Sequence, residues 1–169
     1  MAILEIKTFP DNILLQKANP VDELNGRVQR LIDSMIETMY AAPGLGLAAP
    51  QVAVGEQLIV IDVSSKEESM PLIVLVNPEI IGQDGRIDSE EGCLSLPDFR
   101  ARVSRAKTIC VKAFDRAGKP IEIEADGLLA RAIQHEIDHL NGTLLLDKIS
   151  SIRKKFFLKK IQKSQKRKS

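Results

Sequence analysis

At 169 residues the chain has the size of a single domain. Its 44% hydrophobic and 28% charged residues exclude a disordered or fibrous protein. No apolar run approaches the ~20 residues of a membrane-spanning helix, and Glu5 and Lys7 come too early for a signal-peptide core, so a cytoplasmic protein without a membrane partner is expected. The net charge of +1 hides a division: residues 151–169 carry nine Lys and Arg and no acid, leaving 15 basic against 23 acidic residues, a net of −8, in residues 1–150. An acidic body with a basic tail points to a polyanionic partner for the tail.

In chain order, residues 27–40 ("RVQRLIDSMIETMY") set Val28, Leu31, Ile32, Met35, Ile36 and Met39 at the spacing of one helix face. A glycine-rich loop, "APGLGLAAPQ", follows. "QLIVIDV" (57–63) and "PLIVLVNP" (71–78) are short, β-branched and end at turn formers, as buried strands do. "TICVKAF" (108–114) and "KPIEIEA" (119–125) flank "DRAG" and predict a hairpin, its second strand having one wet face. A second helix should start at the cap Asp126, carry Leu128, Leu129, Ala132, Ile133, Ile137 and Leu140, and end at Gly142. The pattern is α+β: mostly antiparallel sheets around a central helix. A catalytic domain, 1–148, would be followed by a basic C-terminal helix, 149–169. In that last helix Ser150 or Ser151 would cap, and Ile152, Phe156 and Ile161 would rest on the body.

The central helix carries "QHEIDHLNG", with the only two histidines of the chain. Residues i and i+4 share a helix face, so His135 and His139 can aim two imidazoles at one ion, while Glu136 stands one step round, within reach of a water there. The bare pattern is equally compatible with histidines decorating a helix face. Charged Glu136 and Asp138 within a largely apolar helix favour the metal. A third protein ligand is then needed. There is no third histidine and no acid after Asp147, so it must lie upstream. In "EEGCLSLP" (90–97), Cys93 suits Zn or Fe(II) beside two imidazoles; Cys110 better fits a small buried apolar residue. Without a secretory signal both thiols are expected to be free.

"GLGLAAPQ" (44–51), "EGCLS" (91–95) and "QHEIDHLNG" (134–142) together resemble the three signature motifs of the peptide deformylases, in that family's order. Leu15 and Leu145 depart from the pattern, outside the motifs. The resemblance implies Cys93, His135 and His139 as metal ligands and Glu136 as general acid/base. It implies Gln51 and the Leu94 N–H as oxyanion donors, and a loop whose small residues, Gly46 among them, admit a substrate backbone. Leu45, Leu128 and Ala132 are candidates for a methionine pocket. Glu91, at the substrate side, would pair with Arg105, or both would be ordinary surface charges. Asp138 would orient a ligand histidine or bridge to Arg102 or Arg105.

The implied activity is removal of the formyl group from the N-terminal formylmethionine of nascent polypeptides, with release of formate. One divalent ion per chain is expected, Fe(II) as the native one, with Zn, Ni or Co also compatible with the donor set. The expected partners are formylmethionyl peptides and, through the tail, ribosomal RNA. Two rivals stand beside this. A zinc peptidase would cleave within a chain, against which the Cys ligand weighs; a ribosome-associated domain with a structural metal would need four protein ligands.

Overall fold

The computed structural model describes residues 2–64 and 71–168, with the side chains of the last helix described up to residue 164. The first long element is helix α1 (Gly26–Ala41), capped by Asn25, whose side chain accepts from the Val28 N–H at 3.1 Å. The strands β1 (Gly46–Ala48), β2 (Leu58–Ile61), β3 (Ile73–Asp84), β6 (Thr108–Phe114) and β7 (Pro120–Ala125) form an antiparallel sheet in the order β1-β2-β3-β6-β7. Between β3 and β6 the chain makes a separate two-stranded sheet from β4 (Ile87–Cys93) and β5 (Leu96–Arg105). Helix α2 (Gly127–Leu140) and the C-terminal helix α3 (Ser151–Lys168) follow.

Strand β2 explains the layering. Leu58 and Val60 pack with Val28, Ile32, Met35 and Met39 of α1, while Ile59 and Ile61 pack with Ala130, Ile133 and Leu140 of α2. Alternate side chains of a strand point to opposite faces, so a strand covered on both sides must be apolar throughout. Each such aliphatic side chain contributes about 1.5–3 kcal/mol relative to exposure. The helix bearing the histidines is thereby fixed against the sheet. Gln134 adds a polar clamp, accepting from the Ala106 N–H and donating to the Ala106 carbonyl, both at 3.0 Å. At the end of α2, Gly142 takes φ 72°, and a Cβ there would come within 2.7 Å of the Leu15 carbonyl oxygen. Leu15 is otherwise exposed, and Leu145 is buried in a third cluster with Leu14, Leu96, Phe99 and Val103.

The structure departs from the sequence expectations at several points. Strand β3 does not stop at Asn77–Pro78 but runs to Asp84, because Asn77 takes φ 52° and a register shift between Val76 and Glu79 absorbs the proline. Strands β4 and β5 were not foreseen as a sheet. Asp126 holds the cap position of α2, yet its side chain makes no capping bond. In α3, Ser150 Oγ accepts from the Arg153 N–H at 3.3 Å, but the face turned to the body is the expected one only at Ile161. Ile152 and Phe156 are 81% and 77% exposed. Phe157 and Leu158 are half-buried in their place, alongside the expected Ile161, and Phe157 packs on Phe99 with ring centroids 4.4 Å apart. The aromatic ring available on β5 selects the stripe one residue on.

Candidate metal centre

Two elements converge. Helix α2 presents His135 and His139 one turn apart, with ring centroids 5.1 Å apart. The end of β4 brings in Cys93, whose Sγ lies 3.2 Å from His139 Nε2. One donor atom from each of Cys93, His135 and His139 falls within 4.8 Å of the others. An ion bound tetrahedrally at about 2.0–2.3 Å spaces its donors roughly 3.3–3.7 Å apart, so the cluster needs only small adjustment to close on one. Two imidazoles and one thiol are the donor chemistry of Zn or Fe(II), and three protein donors leave a fourth position for water or substrate.

A chain of charges positions the first histidine. His135 Nδ1 lies 3.1 Å from Glu91 Oε1, which leaves Nε2 for the ion. Glu91 is gripped by Arg105 through two bonds, Nε to Oε2 at 2.7 Å and Nη2 to Oε1 at 2.8 Å. Arg105 in turn donates from Nη1 to Asp138 Oδ2 at 2.8 Å. Arg105 is 4% exposed, and truncating one member of so buried a pair strands the others' charges. Both Glu91 oxygens are thus occupied, and Asp138 bridges to Arg105 rather than to a histidine. Burial works to raise the Glu91 carboxyl, but the bonds from His135 and Arg105 and the Arg105 charge outweigh it and hold it at about 2. Burial opposes charge on His135 too; there the Cys93 and Glu91 bonds and the Glu136 charge prevail and push it well above the usual value. His139, desolvated and beside His135 and Arg105, is held well below the usual value, in the neutral form that ligates.

Glu136 is 4% exposed, and its Oε1 has no hydrogen-bond partner. Burial raises it to about 7, against the opposing charges of His135 and Arg105. A buried carboxylate edge without a partner, beside a donor cluster, is placed to take and return a proton. Its space depends on Gly46: a Cβ there would stand 2.7 Å from Glu136 Oε2. Gln51, 1% exposed, is held by the Ala48 N–H donating to its Oε1 at 3.0 Å and by its own Nε2 donating to Ser95 Oγ at 3.1 Å. The same Nε2 lies 3.8 Å from Cys93 Sγ, so one amide N–H faces the centre.

Around these groups opens a cavity of about 650 Å³, lined by Leu45, Gly46, Gln51, Glu91, Cys93, Leu94, Leu128, Ala132, His135 and Glu136, all singled out in the sequence. His139 lies behind it, buried. Ser95, completely buried, was missed, although it sits within "EGCLS" as the hydroxyl that orients Gln51. Phe99, Arg100 and Arg131 also line the cavity and carried no sequence signal. Cys110 is on β6, away from the cluster, and both thiols are free.

The polypeptide deformylase family model matches residues 3–155. The peptide deformylase of Thermodesulfovibrio yellowstonii is 60% identical over 162 residues, covering 96% of this chain and 98% of that protein. Among solved structures, a peptide deformylase from Legionella pneumophila superimposes with a TM-score of 0.90 at 44% identity, over 99% of this chain and 98% of that one. The peptide deformylase of Ehrlichia chaffeensis in complex with actinonin gives 0.91 at 36% identity, over 97% and 98%.

Proposed function

The chain belongs to the polypeptide deformylase family, enzymes that remove the N-formyl group from nascent peptides with the help of a metal ion, and on that footing we propose how its own residues do so. Cys93, His135 and His139 hold one divalent ion. Bound there, the ion would supply Lewis acidity for the formyl carbonyl and for a water that loses its proton near neutral pH. Glu136 accepts that proton as the water oxygen bonds to the formyl carbon. Gln51 Nε2 and the Leu94 backbone N–H donate to the carbonyl oxygen as negative charge builds on it. When the C–N bond breaks, Glu136 gives its proton to the departing nitrogen, and formate and a free N-terminal amine result. Gly46 leaves room for Glu136 and for the approaching peptide backbone. Leu45, Leu128 and Ala132 receive the methionine side chain. Glu91, tied to Arg105 and Asp138, fixes the His135 ring so that Nε2 faces the ion.

The observation that carries this reading is the buried, unpartnered Glu136 oxygen beside a converging thiol and two imidazoles. The thiolate and two imidazoles accept Fe(II), Zn, Ni or Co, and availability under reducing conditions, rather than the donor set, makes Fe(II) the native ion of this proposal. The test compares formyl-Met-Ala-Ser with unformylated Met-Ala-Ser and with a peptide offering only internal bonds. Formate from the first alone supports a deformylase; cleavage of internal bonds would make the centre a peptidase.

Residues 1–148 form the catalytic unit of this proposal, and the basic tail from 149 onward serves to dock it on ribosomal RNA, where formylated chains emerge. Support comes from the nine cations without an acid and from the exposed positions of Lys155, Lys159 and Lys160 on α3. Phosphate contacts make such docking salt-dependent. Changing those three lysines to Glu should abolish co-sedimentation with ribosomes at low salt; undiminished co-sedimentation would exclude the role. None of the described helices is long and apolar enough to cross a membrane.

A further inference from the structure

We propose that α3 is a strut for the peptide cleft, with Phe157 and Arg153 as positioning residues that hold the Pro97–Arg100 wall opposite Cys93. In the β4–β5 ladder Gly92 pairs with Arg100 and Cys93 with Leu96, so Pro97, Asp98 and Phe99 loop out without cross-strand partners. Asp98 takes φ 61° there, a conformation that asks for support from its surroundings. That segment borders the cavity: Asp98, Phe99 and Arg100 line it together with Cys93 and Leu96.

Besides its own cluster with Leu14 and Leu144–Leu146, the segment is supported by α3. Phe157 packs on the Phe99 ring at 4.4 Å and 51°, within the same cluster as Cys93, Leu96 and Leu144–Leu146. The Arg153 guanidinium carbon lies over the Phe99 ring, 6.0 Å from its centroid, and its Nη2 donates to the Arg100 carbonyl at 3.2 Å. The Glu90–Arg100 ion pair at 2.9 Å has both side chains 62% exposed, and such surface pairs hold little. A peptide lying in the cleft thus meets a wall that is paired through the β4–β5 ladder and buttressed from behind by the tail. Loss of the strut lets the wall shift, which weakens peptide binding while leaving the donors, Glu136 and Gln51 in place.

The inference takes the cleft as the peptide site proposed above. Phe157→Ala and Arg153→Gln are compared with wild type for kcat and KM on formyl-Met-Ala-Ser, for calorimetric binding of the product Met-Ala-Ser, for metal content and for melting temperature. Both variants should keep metal and kcat while KM and the product Kd rise roughly 2- to 10-fold, the range an aromatic contact between rings accounts for. Phe157→Tyr, which restores a ring, should return both constants to the wild-type range. Arg153 is exposed, so Arg153→Gln decides the matter if Phe157→Ala does not fold at the assay temperature. Folded variants with wild-type KM and Kd would overturn the strut, as would a fall in kcat at unchanged KM, which a merely destabilised enzyme also gives. Absence of formate from wild type would remove the peptide site and the strut together.

Discussion

Replacing Gly46 by Ala adds one methyl group at the point where the account is most sensitive to it. Gly46 lies in β1 outside the positive-φ glycines, so alanine meets no backbone strain. Its Cβ would stand 2.7 Å from Glu136 Oε2, 3.1 Å from Cγ and 3.2 Å from Cδ. Ordinary contact begins near 3.4 Å, so the carboxylate must move by about 0.7 Å. Because the stem carbons are crowded too, rotating the carboxylate alone does not relieve it. Displacements of about 1 Å in a reacting constellation cost roughly 100-fold, so kcat should fall about 30- to 100-fold. Overpacking should also cost about 1–3 kcal/mol of stability, or roughly 2–4 °C of melting temperature per kcal/mol in a chain of this size. Metal content should not change, since Glu136 is not a donor. The assay is formate release at saturating formyl-Met-Ala-Ser, with metal analysis and a thermal melt on the same sample. Gly55→Ala is the control: its Cβ would meet only Ile13 Cδ1 at 3.8 Å, and activity should be retained. A Gly46→Ala enzyme with near wild-type kcat would refute the requirement for Glu136 at its observed position.

Cys93→Ala should lose the ion, whereas Cys110→Ala should keep it and lose about 1 kcal/mol of stability; equal metal content in wild type and Cys93→Ala would sink the third ligand. Gln51→Leu should bind metal normally but turn over roughly 100- to 1,000-fold more slowly, the usual result of removing an oxyanion donor. An unchanged rate there would mean that Gln51 only shapes the cleft. Glu136→Gln should keep fold and metal and lose nearly all turnover, because an amide accepts no proton from water; close to wild-type formate release would exclude it as the acid/base.

Much of this was readable from residue order. The i, i+4 histidines on an apolar helix announced the centre, because a helix converts that spacing into one face. Ile121 and Ile123 alternating with Glu122 and Glu124 gave away β7, and "DRAG" closed the hairpin with Gly118 at φ 85°. The β4–β5 sheet was hidden for two reasons. Strand β4, "IDSEEGC", has almost no apolar side to bury. In β5 the inward positions are Leu96, Phe99, Ala101, Val103 and Arg105, so the looped-out Pro97–Asp98 breaks the alternation and a charge occupies an inside position. Arg105 makes sense there only once Glu91 and Asp138 are seen around it, a three-way pairing that no linear spacing expresses. The tail was legible at its Ser150 cap and at Ile161 but not at Ile152 and Phe156: its sequence permits two neighbouring stripes, and the Phe99 ring, 58 residues before Phe157 in the chain, chooses between them.

The most direct measurement follows formate release and bound metal together. Protein purified without oxygen is assayed on formyl-Met-Ala-Ser as isolated, after a chelator has removed the ion, and after Fe(II) is returned. Activity should vanish with the ion, return in proportion to the Fe(II) rebound, and saturate at one ion per chain. Full formate release from metal-free protein, or rebinding of one ion per chain without any return of activity, would contradict the account.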